Sequence, residues 1–275
     1  LALQRYGTRS LRDTLAPAIA MCESGTHAIS VKGIDDVPAN LPPGAVAGGG
    51  TALPPEKQRN LALAGLLKTL AARNSTESFY RGDLAGKIAG AFQRNGGLVT
   101  RDDLAAYRAR EVAPLTLEWN GATLHTAPLT ATGLLVLEAC AILKTLDWPR
   151  LAAPQRMQAR LEALRIAWAD RARTFGDPEH VTVPIEELLS RAHTGAMAEK
   201  VSVALKTQQP VPLDVDPSHA GGTTNLSAAD RHGNLIAITL THGGAFGARV
   251  VVPELGVVLG HGMSRFDPRP GRPNS

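Results

Sequence analysis

The stretch from Gly221 to Gly247, GGTTNLSAADRHGNLIAITLTHGGAFG, constrains the fold more than any other. Two glycines precede two threonines, and a strand-like run follows from Asn225 to Ala229. The turn Asp230-Arg231-His232-Gly233-Asn234 leads into Leu235 to Thr241, a second run rich in β-branched residues. Strand formers around such a turn predict a β-hairpin. Antiparallel pairing centred near His232 sets Thr223 about opposite Thr241, with glycines beside both. A Thr–Thr pair is ordinary in a sheet. The Gly-Gly-Thr-Thr step gives this pair a second meaning. Cleavage between Gly222 and Thr223 would put a hydroxyl and a free α-amine on one residue. That amine titrates near ~7.7–8.0 and can act as base for its own hydroxyl, a known nucleophile–base arrangement.

The chain has 275 residues, 44% hydrophobic and 20% charged, enough for a large core or two layers of structure. The net charge of +4 is scattered; its densest basic stretch is Arg265, Arg269 and Arg272, spaced by prolines. Nucleic-acid binding needs a stripe or patch, so no nucleic-acid partner is expected. No run approaches transmembrane length, and no membrane partner is expected. Cys22 and Cys140 sit in apolar helical patterns, as small hydrophobes rather than ligands or a bridge. The histidines show no metal-ligand spacing, so neither a metal nor another cofactor is expected. The chain starts at Leu1 without Met and stops at Ser275 in a loop-like stretch, which marks it as a fragment.

The first 222 residues are mostly helical in pattern. Ser10 with Asp13 forms a capping signal, Leu11, Leu15, Ile19 and Cys22 share one face, and Gly25 ends that helix. A Pro/Gly-rich loop covers Lys32 to Pro55. Helices are expected from about Glu56 to Arg73 and from Glu77 to Arg94, with a short one capped by Thr100. Asn120-Gly121 predicts a tight hairpin between 115–119 and 122–126. A buried helix from Thr132 to Leu146 follows, then an amphipathic one from Pro154 to Arg173 with Met157, Leu161, Leu164 and Trp168 facing one way. Pro184 opens another helix, and Thr207 to Gly222 is loose, exposed chain suited to cleavage.

The Thr223 stretch resembles the start of the small subunit of γ-glutamyltranspeptidases, N-terminal-nucleophile (Ntn) hydrolases made by self-cleavage. The matching features are Thr223-Thr224, Asp230, Gly233-Asn234, Thr241 and Phe246-Gly247. The run Phe266, Pro270-Gly271 and Pro273-Asn274 follows the same pattern. Three earlier stretches resemble the family's large subunit: 5–25 (RYGTRSLRDTLAPAIAMCESG), 79–114 and 163–183. The region from Thr26 to Gly50 departs from the pattern.

The resemblance implies an α+β fold, the αββα four-layer Ntn-hydrolase sandwich, incomplete in this fragment and helix-rich in its N-terminal part. It implies a large-subunit portion, 1–222, and the start of a small-subunit portion, 223–275, combined in one domain and cut from one precursor. Thr223 would be the nucleophile, Gly222–Thr223 the processing bond, and Thr241 the second threonine that hydrogen-bonds the nucleophile. The substrate would be a small amide or peptide, γ-glutamyl or related, resolved through an acyl-enzyme. A periplasmic or secreted location would follow. The family's oxyanion-hole glycines and one substrate arginine fall outside this stretch, so the fragment alone is expected to be inactive.

The substrate pocket departs from the pattern. Gly243 stands where the family has Asn, Gly262 where it has Gln, and Arg265 where an Asp binds the α-amine of glutamate. Arg265 is either an exposed loop arginine or a pocket residue that repels an ammonium and attracts a carboxylate. His261 either lines the pocket or is solvated. Two alternatives accompany the γ-glutamyl assignment: an acylase for non-glutamyl amides, and a non-catalytic family member that keeps the fold as a binding module.

Overall fold

The computed structural model describes residues 1–25, 59–213, 222–243, 247–262 and 273. The chain divides into two compact units, 1–109 with 220–264 and 110–219 with 265–275.

The first unit holds helices α1 (Ala2–Tyr6), α2 (Leu11–Ser24), α3 (Leu61–Arg73), α4 (Glu77–Arg81), α5 (Asp83–Arg94) and α6 (Arg101–Ala106). It also holds, among the described residues, four strands from the C-terminal part of the chain, given below. The expected cap of α2 is present: Ser10 Oγ accepts from the Asp13 amide at 3.1 Å, and Asp13 Oδ2 accepts from the Ser10 amide at 3.3 Å. Gly25, at φ 70°, closes the helix. Leu66, Leu70, Leu84 and Ile88 form a core with Val252, Leu255 and Leu259. Asn60 joins the two ends of this core. Its Oδ1 accepts from the Leu63 amide at 3.0 Å, and its Nδ2 donates to the Gly256 carbonyl at 2.9 Å. A Cβ on Gly256 would fall 2.1 Å from Asn60 Oδ1, so glycine is required there.

Two helix expectations change in this unit. Residues 56–58 lie outside the described residues, and Asn60 caps a helix that starts at Leu61 rather than near Glu56. The continuous helix expected from Glu77 to Arg94 breaks at Gly82, whose ψ of −148° is not helical. A side chain at Gly82 would lie 2.8 Å from Ser78 Cα. Arg81 then reaches across to the carbonyls of Ala105 and Tyr107, at 3.0 and 3.1 Å.

The second unit begins with the hairpin β1 (Leu115–Trp119) and β2 (Ala122–Thr126), paired from Leu115↔Thr126 to Trp119↔Ala122. Asn120 and Gly121 both take positive φ, 51° and 76°, as a two-residue hairpin turn requires. Helices α7 (Gly133–Thr145), α8 (Ala153–Thr174), α9 (Ile185–Leu188) and α10 (Arg191–Thr207) follow. The apolar expectation for α7 holds: Leu134, Leu137 and Ile142 are fully buried. Alanines 159, 163 and 167 on α8 are also fully buried, and their small size lets neighbouring helices approach closely.

The expected apolar face of α8 is corrected. Met157, Leu161 and Leu164 are exposed, and of that face only Trp168 packs, half-buried, against the core; the buried face is Ala159, Ala163, Ile166, Ala167 and Asp170. Alanine packing, not the larger side chains, decides the orientation. The helix opened by Pro184 is only α9; Ser190 caps a separate α10, accepting from the His193 amide at 3.1 Å. Nor is the start of the 207–222 segment loose. Val211 is buried, and Glu162 Oε2 accepts from its amide at 3.0 Å while Arg165 donates to its carbonyl at 3.2 Å. Residues 214–221 lie outside the described residues.

The reoriented α8 generates a direct test. Ile166→Ala should cost about 2–5 kcal/mol in denaturant unfolding, whereas Met157→Ala should stay within about 0.5 kcal/mol. Equal losses would refute the assigned face.

Candidate functional site

Strands β3 (Gly222–Ala229) and β4 (Leu235–Gly243) form the predicted hairpin. Its turn is organised by Asp230. The Oδ1 atom accepts from the His232 and Asn234 amides at 2.8 and 2.9 Å, and Oδ2 accepts from Asn234 Nδ2 at 2.8 Å. These bonds, the Asn234 side chain's first, hold the Asp230 carboxyl below the usual carboxylate range. Gly233 supplies the positive φ, 84°. The turn fixes a regular register from Ala229↔Leu235 to Thr224↔Leu240.

At the open end the register shifts. Gly222 pairs with Gly243 while Thr224 pairs with Leu240, so Thr223 faces both Thr241 and His242. This is a β-bulge with the extra residue on β4. Gly243 accommodates it at φ 93°, and its amide donates to Thr241 Oγ1 at 3.0 Å. Thr223 is exposed, at the strand end where the ladder is disrupted. Following chain is tied back here. The His261 amide donates to the His242 carbonyl at 2.7 Å, and the Ala248 amide to the Leu259 carbonyl at 2.9 Å. Short strands β5 (Val251–Val252) and β6 (Val257–Val258) pair between those ties.

Gly222, Thr223, Thr241 and Gly243 therefore share one end of one hairpin, and the His261 contact carries Gly262 to that end. A Cβ on Gly262 would meet nothing within 4 Å. Arg265 and Phe246 lie outside the described residues. Sequence reasoning placed the two threonines opposite one another but missed the bulge, which interposes His242. The glycine at 243, free to take a positive φ, was its one local signal.

A second polar group escaped sequence reasoning. Glu138, Asp170 and His193 converge in the second unit from α7, α8 and α10. Burial, then the neighbouring Asp170 carboxylate, pushes the Glu138 carboxyl up to about 9. Burial also raises the thiols of Cys22 and Cys140, which argues against either as an activated nucleophile.

The γ-glutamyltranspeptidase family model matches residues 1–275. The chain belongs to the γ-glutamyltranspeptidase family. It is 31% identical over 288 residues to the glutathione hydrolase proenzyme of Escherichia coli K12, covering 100% of this chain and 50% of that protein. It is 31% identical over 283 residues to the Acylase ACY 1 proenzyme of Pseudomonas sp. V22, covering 98% of this chain and 50% of that protein. The chain spans half the length of both relatives. A cephalosporin acylase from Bacillus halodurans superposes with TM-score 0.78 at 24% identity, over 99% of this chain and 52% of that one. The fold is accordingly α+β, a part of the αββα Ntn-hydrolase sandwich.

Because the turn sets the register on which the bulge depends, Asp230→Ala should speed amide exchange at His232 and Asn234 by on the order of tenfold, with α10 amides unchanged. Unaltered exchange in the turn would show that Asp230 does not hold it.

Proposed function

We propose that this chain is the junction portion of a self-cleaving threonine amidohydrolase or acyltransferase, cut between Gly222 and Thr223. The observation that carries the proposal is an exposed Thr223 at a bulge opposite Thr241 and His242, in a chain of this family. Residues 1–222 would supply the large subunit and 223–275 the start of the small one. The Thr223 hydroxyl attacks the Gly222 carbonyl carbon, and the peptide nitrogen leaves as the Thr223 α-amine, giving an ester. Water opens the ester to a Gly222 carboxylate and a free Thr223 hydroxyl. That hydroxyl then attacks a substrate amide while the α-amine accepts its proton and returns it to the leaving nitrogen. Water or an acceptor amine resolves the acyl-enzyme. Thr241 holds the nucleophile by hydrogen bonding. The partners are a small amide or peptide substrate and the two subunits of one precursor.

The exposed faces of the hairpin support a layered parent. Leu235 is 81% exposed, and Ile236, Ile238 and Leu240 are exposed on the opposite face of β4. A strand with a continuous apolar face left exposed belongs against another layer, which further chain of a longer precursor would provide. Expressed at full length, that precursor should split unaided into two chains, the second starting at Thr223, and Thr223→Ala should leave one chain. N-terminal sequencing that finds any other start would refute the assignment, and an intact wild-type chain would favour a binding module.

Gly243, Gly262 and Arg265 point to an acyl group other than γ-glutamyl, in keeping with an acylase among the relatives. Two side-chain amides are absent, and a cation replaces an acid where an α-amine would bind. Like charges across a binding site cost on the order of several kcal/mol. The full-length enzyme should therefore have a higher kcat/KM on glutaryl-p-nitroanilide than on γ-glutamyl-p-nitroanilide, which differ only in that amine. A preference for the glutamyl compound would remove Arg265 from the pocket.

A further inference from the structure

The unclaimed chemistry of this chain lies in the second unit. Glu138 on α7 is 0% exposed and Asp170 on α8 is 2% exposed, so two carboxylates are buried side by side. Such a pair is costly unless each oxygen finds a partner. Part of the cost is met. His193 Nε2 lies 3.0 Å from Glu138 Oε1, and Arg173 pairs with Asp170 Oδ1. Two atoms remain: Glu138 Oε2 and Asp170 Oδ2 are buried without a hydrogen-bond partner. Asp170 Oδ2 sits 3.3 Å from the same His193 Nε2. One ring nitrogen carries at most one hydrogen and cannot satisfy both carboxylates.

One nitrogen and two carboxylates, from three different helices, offer ligand atoms that all lie within 4.8 Å of one another. Zinc-type ions bind such donors at about 2.0–2.2 Å, which puts tetrahedral ligand atoms about 3.3–3.6 Å apart. The observed separations of 3.0 and 3.3 Å from Nε2 need only small adjustment to reach that spacing. Arg173 holds the far oxygen of Asp170, as outer partners of metal-binding carboxylates do. The His193 side chain, 16% exposed, gives the cluster its route from solvent.

We propose that Glu138, Asp170 and His193 form a binding site for a divalent cation of the zinc class, tying α7, α8 and α10 together. The site supplies three protein ligands and leaves one coordination position for water. Its role is to stabilise the second unit, in which these helices pack on one core. It is independent of Thr223 chemistry. The competing occupant is a single proton shared by the two carboxylates.

The test uses the full chain, purified without a histidine tag, stripped with a chelator and titrated with Zn²⁺ by calorimetry. The expected result is one equivalent bound, with a rise in Tm. Glu138→Gln and His193→Ala should each weaken binding by about a hundredfold or more, and Arg173→Ala by about 10–100-fold. His232→Ala, at an exposed turn histidine, should bind as the wild type does. Circular dichroism checks the fold of each variant. If His193→Ala fails to fold, diethylpyrocarbonate modification of the wild type decides: bound Zn²⁺ should protect His193 but not His232. No uptake, uptake that survives Glu138→Gln and His193→Ala, or no protection of His193 would overturn the proposal and leave the shared proton.

Discussion

Asp230 accepts three hydrogen bonds inside its own turn, and those bonds decide which residues meet at the far end of the hairpin. Strand pairing has a period of two, so a slip of one residue would exchange the faces of every side chain. With the turn fixed, the ladder stays regular to Thr224↔Leu240 and then takes up one extra residue. The extra residue costs ladder bonds and local regularity. Gly243 keeps that cost small, because its φ of 93° is one that side-chain-bearing residues rarely adopt. At this irregularity stands Thr223, exposed beside a glycine peptide bond at the end of a strand.

The second unit rests on a different balance. Its helices approach through alanines, and close approach leaves little room for water. In that setting every polar atom has to be matched. Glu162 is matched, taking Arg165 and the Val211 amide, and so pins the chain after α10. Glu138 and Asp170 are matched only in part. The same close packing that stabilises the unit makes the remaining oxygens strong ligands for a proton or a cation.

What the sequence shows and what it hides follow from the range of the forces involved. Capping at Ser10 and Thr100, the Asn120-Gly121 turn and the Thr223 hairpin depend on neighbours within a few residues, and all are present. Beside the break at Gly82, Arg81 donates to the carbonyls of Ala105 and Tyr107, 24 and 26 residues away and outside any local pattern. The face of α8 was hidden because Met157, Leu161 and Leu164 outweigh three alanines on any hydropathy pattern, yet it is the alanines that fit against neighbouring helices. At the candidate site, the two threonines were legible from residue types and spacing; the bulge was not, because it depends on where pairing fails. The cluster of Glu138, Asp170 and His193 had no local signature at all, its members lying on three separate helices.

The bulge also bears on why a bond in a strand would be cleavable. Regular strand residues are held extended by partners on both sides, a geometry poor for attack of a hydroxyl on the carbonyl next to it. A bulge leaves its extra residue unpaired and bends the strand that carries it, here β4, so that Thr223 opposes two residues instead of one. Thr223 stands at that irregularity, with a glycine before it that adds no side chain to hinder the approach. On the proposed chemistry, one local departure serves twice: before cleavage it interrupts the ladder beside the Gly222–Thr223 bond, and afterwards it presents the new amine and hydroxyl together opposite Thr241. A regular ladder would place Thr223 against Thr241 alone. The extra residue on β4 is thus the feature through which the fold would act on its own backbone and then on a substrate amide.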